Sequence, residues 1–123
     1  MDFIAKQNYL LTSPRKIRPV VTLIKKMLPM VALEKLPYVG RRSAEPLAKV
    51  IKSAIANAKN KGVAEKDLIF KSIQVNEGPR LKRGQPVSRG QWHRIIKRMS
   101  HIRVVLTTLK SETKGKEKNV TKI

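Results

Sequence analysis

A chain of 123 residues with a hydrophobic share of 41% can close one modest core but not two. Its 28 Lys and Arg against 8 Asp and Glu give a formal charge of +20, a self-repulsion that a polyanion such as nucleic acid would relieve. The absence of cysteine excludes disulfides, thiolate nucleophiles and the commonest structural zinc ligands, and no apolar run approaches the roughly 20 residues that cross a bilayer.

In chain order, residues 3–11 mix apolar and polar positions as a short strand does, and Ser13 before Pro14 reads as an N-cap with proline at the first helical position. Ile17, Val20, Val21, Ile24 and Leu28 recur at helical spacing and predict a buried stripe. Pro19 lies inside that helix and predicts a kink or an irregular first turn, because it removes a donor and crowds the preceding turn. Pro29 opens a short second helix with Val31, Leu33 and Leu36 as apolar contacts, ended by Pro37 and Gly40. Leu47, Val50, Ile51, Ala54, Ile55 and Ala58 mark a third helix closed by Gly62. That helix starts either at a Ser43 cap, with Pro46 in the first turn, or near Gly40 with a bend at Pro46.

Residues 68–75 and 101–109 are rich in strand formers and predict antiparallel neighbours. The segment joining them, residues 78–98, is punctuated by Gly78, Pro79, Gly84, Pro86 and Gly90, and a connection of that length in a small domain is usually functional or disordered. Between Glu77 and Glu112 the chain carries nine Lys and Arg and no acid. Folded back as a ribbon of roughly ten residues per side at ~3.3 Å each, the segment would reach ~30 Å from the body. The expected architecture is α+β: three helices packed on a small three-stranded antiparallel sheet, with a long protruding β-hairpin. One domain, residues 1–110, would include the arm at 78–98, and residues 111–123 would form a disordered basic tail.

Enzyme signatures are weak. The acids are scattered, and His93 and His101 have no carboxylate or cysteine near them in sequence, so no catalytic group, cofactor or metal site is expected. Residues 78–84 lack the Gly-Lys-Ser/Thr ending of a phosphate-binding loop. Lys25, Lys35, Lys52, Lys59 and Lys61 read as readily as a solvated exterior as they do as a binding surface. Arginine gathered in an acid-free loop differs, since guanidinium meets phosphate bidentately and no acid competes for it. Trp92 either anchors the arm on the body or packs on nucleic acid; its neighbours Gln91, His93 and Arg94 favour the second. With aromatics at 4%, stacking platforms that read bases are not evident, and recognition of backbone and shape is expected.

Several segments together resemble a known family. These are Ser13-Pro14-Arg15-Lys16 with Arg18, then Lys52-Ser53-Ala54-Ile55-Ala56-Asn57-Ala58, Glu77-Gly78-Pro79 with Lys82-Arg83, and Lys97-Arg98 with Ser100-His101-Ile102 and Val104-Val105. In this order, over residues 3–109, they resemble the large-subunit ribosomal protein numbered twenty-two in the bacterial scheme. The resemblance implies a non-enzymatic protein in the cytoplasmic ribosome, with large-subunit ribosomal RNA and neighbouring ribosomal proteins as partners, no membrane and no small-molecule substrate. It implies a role in assembly and a hairpin whose tip lines the nascent-peptide exit tunnel. By position, Ser13, Arg15, Lys16, Arg18, Arg80, Lys82, Arg83, Arg94, Lys97 and Arg98 would bind RNA. Pro86, Val87, Ser88, Arg89, Gly90 and Gln91 would form the tip facing the tunnel and the nascent peptide. Val87 and Gln91 stand where tips of the family carry further basic residues. Two rivals share the charge: a general double-stranded nucleic-acid-binding or nucleoid-type protein, and a membrane-active cation, which would need an amphipathic helix with aromatic anchors.

Overall fold

The computed structural model of the chain describes residues 1–109, so the expected tail at 111–123 lies outside the described residues. The elements run β1 (Phe3–Leu10), α1 (Pro14–Ile24), α2 (Pro29–Lys35), a 3-10 turn at Leu36–Val39, α3 (Ala44–Asn60), a 3-10 turn at Glu65–Asp67, β2 (Leu68–Glu77), β3 (Leu81–Pro86), β4 (Trp92–Lys97) and β5 (Ser100–Thr108). This is the expected α+β arrangement. β1, β5 and β2 form an antiparallel sheet in that order, and β3 pairs only with β4 as a separate two-stranded ribbon.

β5 is central because it is the most apolar strand: Ile102, Val104, Val105 and Leu106 are all buried, which requires a neighbour on each edge and cover on the face. Its alternate residues Ile102, Val104 and Leu106 join Phe3, Ala5 and Leu68 to meet Ile17, Val20 and Ile24 of α1 and Leu47, Ile51, Ala54 and Ala58 of α3. A period of two in the strands thus faces a period near 3.6 in the helices, each buried Leu or Ile contributing about 1.5–3 kcal/mol of transfer free energy.

The prolines set the helix boundaries. Pro14 opens α1, and the helix continues through Pro19, which sits at an exposed position where solvent can replace the lost bond to the Arg15 carbonyl. Pro29 holds Leu28 extended (φ −68°, ψ 146°), so Leu28 leaves the α1 stripe and is exposed. Within α2 it is Ala32, not Val31, that shares a buried face with Pro29 and Leu36. Pro46 lies in the first turn of α3 with Ser43 at the N-cap, where a missing amide costs no helical hydrogen bond.

Neither expected serine cap uses its side chain on its own helix. The buried Ser43 hydroxyl instead donates to the Lys16 carbonyl (3.3 Å), binding the turn before α3 to the start of α1. A buried hydroxyl at the mouth of β5, Ser100, donates to the Thr12 carbonyl (2.8 Å) and ties the β1–α1 loop to the same corner.

Two one-residue bulges shape the sheet. In β1 the pairing shifts between Gln7 and Leu10, with Tyr9 at φ 58°, its amide donating to His101 Nδ1 (3.0 Å) and its ring edge-on to the imidazole. In β2 the extra residue is Lys71, whose ammonium donates to Asp2 (2.6 Å) from the opposite edge of the sheet. On the free edge of β1, Asn57 of α3 donates to the Ile4 carbonyl (3.0 Å), which blunts further strand pairing.

Ser100→Ala should destabilise the fold by about 1 kcal/mol or more, because the Thr12 carbonyl loses its donor in a part-buried site; denaturant unfolding measures it. The Lys71 hydrogen bond holds the Asp2 carboxyl below its ordinary value of 3.8. That stabilisation is full above this value and fades as pH falls through the lowered one, so Asp2→Asn should flatten the loss of thermal midpoint below about pH 4.

Candidate nucleic-acid interface

The ribbon continues the β2–β5 pair, but not smoothly. The last pair of the body is Glu77 with Ser100, and the first of the ribbon is Leu81 with Lys97, so the β2 side carries one extra residue at the joint. Pro79 has no amide to offer there, and the Gly78 amide donates to the Met99 carbonyl (2.8 Å). A Cβ on Gly78 would come within 3.2 Å of Met99 and His101, so the two strands cross closely at this point.

Beyond the joint every β3 residue is exposed, and β4 is exposed apart from the half-buried Ile96. Cross-strand partners share a face: Leu81 and Lys97, Arg83 and Ile95, Gln85 and His93 on one, Lys82 and Ile96, Gly84 and Arg94, Pro86 and Trp92 on the other. Each face therefore mixes cations with apolar groups. Trp92 is 70% exposed and lies over Gly84, whose missing side chain leaves room for the indole; it anchors nothing on the body.

The turn at the far end is closed by the Val87 amide donating to the Gln91 carbonyl (2.8 Å), and Arg89 and Gly90 take φ of 62° and 71°. A left-handed arginine is strained by roughly 1–2 kcal/mol relative to glycine, and it leaves Arg89 exposed at the apex. Pro86, Val87, Ser88, Gly90 and Gln91 surround it, so the six expected tip residues do form the turn.

The expected basic residues fall into separate groups. Lys82, Arg83 and Arg94 gather around Trp92 midway along the ribbon. Ser13, Lys16, Lys97 and Arg98 meet at its base, in a cleft of about 600 Å³. Arg80 is turned to Glu77 (3.3 Å), the arm's only acidic partner among the described residues, an exposed pair worth little. Arg18 reaches the Val75 carbonyl on the edge of β2 (3.4 Å), and Arg15 is exposed on α1 outside the cleft.

Arg41 and Arg42 were not among the sequence candidates, yet both line the cleft opposite Lys97 and Arg98. The Ser43 bond to Lys16 brings them there, a contact across 27 residues that no local pattern announces. On the sheet face away from the helices, Lys6 and Arg103 stand directly opposite each other in β1 and β5, a like-charge pair that makes this face electropositive as well. Among the described residues no cluster of His, Asp and Glu is able to hold a metal, and no helix is long and apolar enough to cross a membrane.

Comparison with known proteins agrees with this geometry. Residues 5–107 match the model of the family described as ribosomal protein L22p/L17e. The chain is 41% identical over 108 residues to the large ribosomal subunit protein uL22 of Mesoplasma florum, covering 87% of this chain and 96% of the relative. It is 40% identical over 108 residues to the uL22 protein of Mycoplasma mycoides, covering 87% and 97%. To that of Desulfatibacillum aliphaticivorans it is 41% identical over 106 residues, covering 86% and 98%. A fold of three helices on an antiparallel sheet, a cationic ribbon and a match over nearly all of the described residues agree: the chain belongs to the ribosomal protein L22p/L17e family, and is a structural, non-enzymatic constituent of the large ribosomal subunit.

Proposed function

We propose that the chain binds large-subunit ribosomal RNA through its ribbon and the base of that ribbon, aids the folding of that RNA during assembly in the cytoplasm, and lines part of the nascent-peptide exit tunnel with its tip. The observation that carries this reading is a two-stranded ribbon with cations on both faces and, among the described residues, almost no internal counter-charge. A partner that neutralises both faces must surround the ribbon, as folded RNA does and as a flat surface does not.

In this reading Lys82, Arg83 and Arg94 take phosphates along the ribbon, while Ser13, Lys16, Lys97 and Arg98 do so at its base. Arg15, Arg18 and Arg80 contribute from the flanks, Arg80 by exchanging Glu77 for phosphate. The exposed Trp92, Ile95 and Leu81 fill apolar gaps against sugars and bases. Pro86, Val87, Ser88, Arg89, Gly90 and Gln91 meet the nascent peptide, with Arg89 the charged contact. Neighbouring ribosomal proteins pack on the body, and residues 1–110 act as one unit. Ordering about twenty arm residues costs ~1–2 kcal/mol each, more than the arm's own contacts offset, so RNA supplies the balance and the ribbon stiffens as it binds.

Trp92 is the only tryptophan, so its emission reports the arm directly. Titration with a large-subunit ribosomal RNA transcript should shift and quench it, and affinity should fall linearly with log salt. Arg83→Ala and Arg94→Ala should each lower the salt slope by about 0.7–0.9. Equal affinity for duplex DNA, or a slope untouched by both substitutions, would contradict the reading.

A further inference from the structure

The cleft at the ribbon's base straddles a weak joint. Between the Glu77–Ser100 pair and the Leu81–Lys97 pair the two ladders are out of step by one residue, Pro79 donates nothing, and Gly78 to Met99 is the bond in between. A joint of this kind bends more easily than a continuous sheet. The cleft has one wall on the body, carrying Lys16, Arg41 and Arg42, and one on the arm, carrying Lys97 and Arg98, and among the described residues no acid lines it. Like charges on the two walls push the cleft open in water, and only an anion between them favours its closing.

We propose that this cleft is a clamp that closes on a sugar-phosphate strand of RNA and thereby sets the angle of the arm to the body. The clamp rests on the RNA-binding reading above. Its lining decides the class of ligand. Among the described residues the polar groups are cations and the hydroxyls of Thr12, Ser13 and Ser43, with no aromatic ring, Asn or Gln to hold a base, so the site takes the backbone of a strand without reading its sequence. At about 600 Å³ it lies within the size range of ligand sites and exceeds the room a single phosphate needs. The body wall is itself fixed, because Ser43 holds the Arg41–Arg42 turn to Lys16 and Ser100 holds Thr12. Closing therefore moves the arm and not the wall.

The chain has no cysteine, so cysteines introduced at Tyr38, which is 89% exposed on the body, and at Gln91 in the tip are unique spin-label sites. Pulsed electron resonance would give the distance distribution between them, free and bound to a large-subunit ribosomal RNA transcript. The parent should change from a broad distribution to a narrow one. Adding Arg41→Ala and Arg42→Ala, both at exposed positions, should weaken RNA binding by two cationic contacts, leave the arm's own contacts to hold the transcript at saturating concentration, and abolish the narrowing. Arg41→Lys with Arg42→Lys should restore it, and an unchanged thermal midpoint would show that the fold is intact. A distribution that narrows as well without the two arginines, or one already narrow in the free parent, would overturn the clamp. Failure of the parent to bind the transcript at all would overturn the RNA-binding reading, and the clamp with it.

Discussion

Uncompensated positive charge on a ribbon that has no buried face is the constraint on which the rest of the molecule depends. An isolated two-stranded hairpin is marginal in water, because its few cross-strand contacts barely offset the entropy of ordering it. In this chain the ribbon must also hold Lys82, Arg83, Arg94, Lys97 and Arg98 close together, with Glu77 as the sole acid near its base among the described residues. Both penalties are removed by one kind of environment: a polyanion that encloses the arm, supplies phosphate to every face and covers Trp92, Ile95 and Leu81. The proposed binding to large-subunit ribosomal RNA would supply that environment, and the chain's membership of a large-subunit ribosomal protein family is consistent with it.

The body is organised to present the arm. Burying β5 between β1 and β2 makes the strand that leaves the arm the most strongly held in the protein, so the arm's return strand feeds directly into the core. The hydroxyl of Ser100 at that entry point and the close crossing at Gly78 fix where the ribbon departs. The helices contribute their apolar stripes to the core and their polar ends to the cleft, so the start of α1 and the turn before α3 meet the arm's base. Fold and interface are thus coupled at one corner, where the contacts are hydrogen bonds from buried serines to backbone carbonyls.

Much of this was legible in the sequence, because the apolar periodicities are strong. The run from Ile102 to Leu106 specified β5 to within a residue or two, the stripe from Leu47 to Ala58 specified α3 but left its start open between Ser43 and Gly40, and the acid-free, Gly- and Pro-punctuated segment marked the ribbon. What the pattern could not show depended on contacts between distant residues. Arg41 and Arg42 look like solvated charges until Ser43 is seen bonded to Lys16. The bulges at Tyr9 and Lys71 follow from strand register, and a one-residue slip has no local signature. Ser13 and Ser43 occupy capping positions, yet neither side chain caps its own helix, since the tertiary partner of Ser43 outcompetes its amides. Helical spacing alone places Leu28 on the α1 stripe, and the extended backbone that Pro29 imposes takes it off.

Amide hydrogen exchange of the intact chain, free and within reconstituted large subunits, tests the central claim most directly. If the ribbon owes its order to surrounding RNA, the amides of β3 and β4 exchange orders of magnitude faster than those of β5 in the free protein and become protected in the particle. Ribbon amides as protected as the β5 core in the free protein, or equally open in both states, would contradict the account.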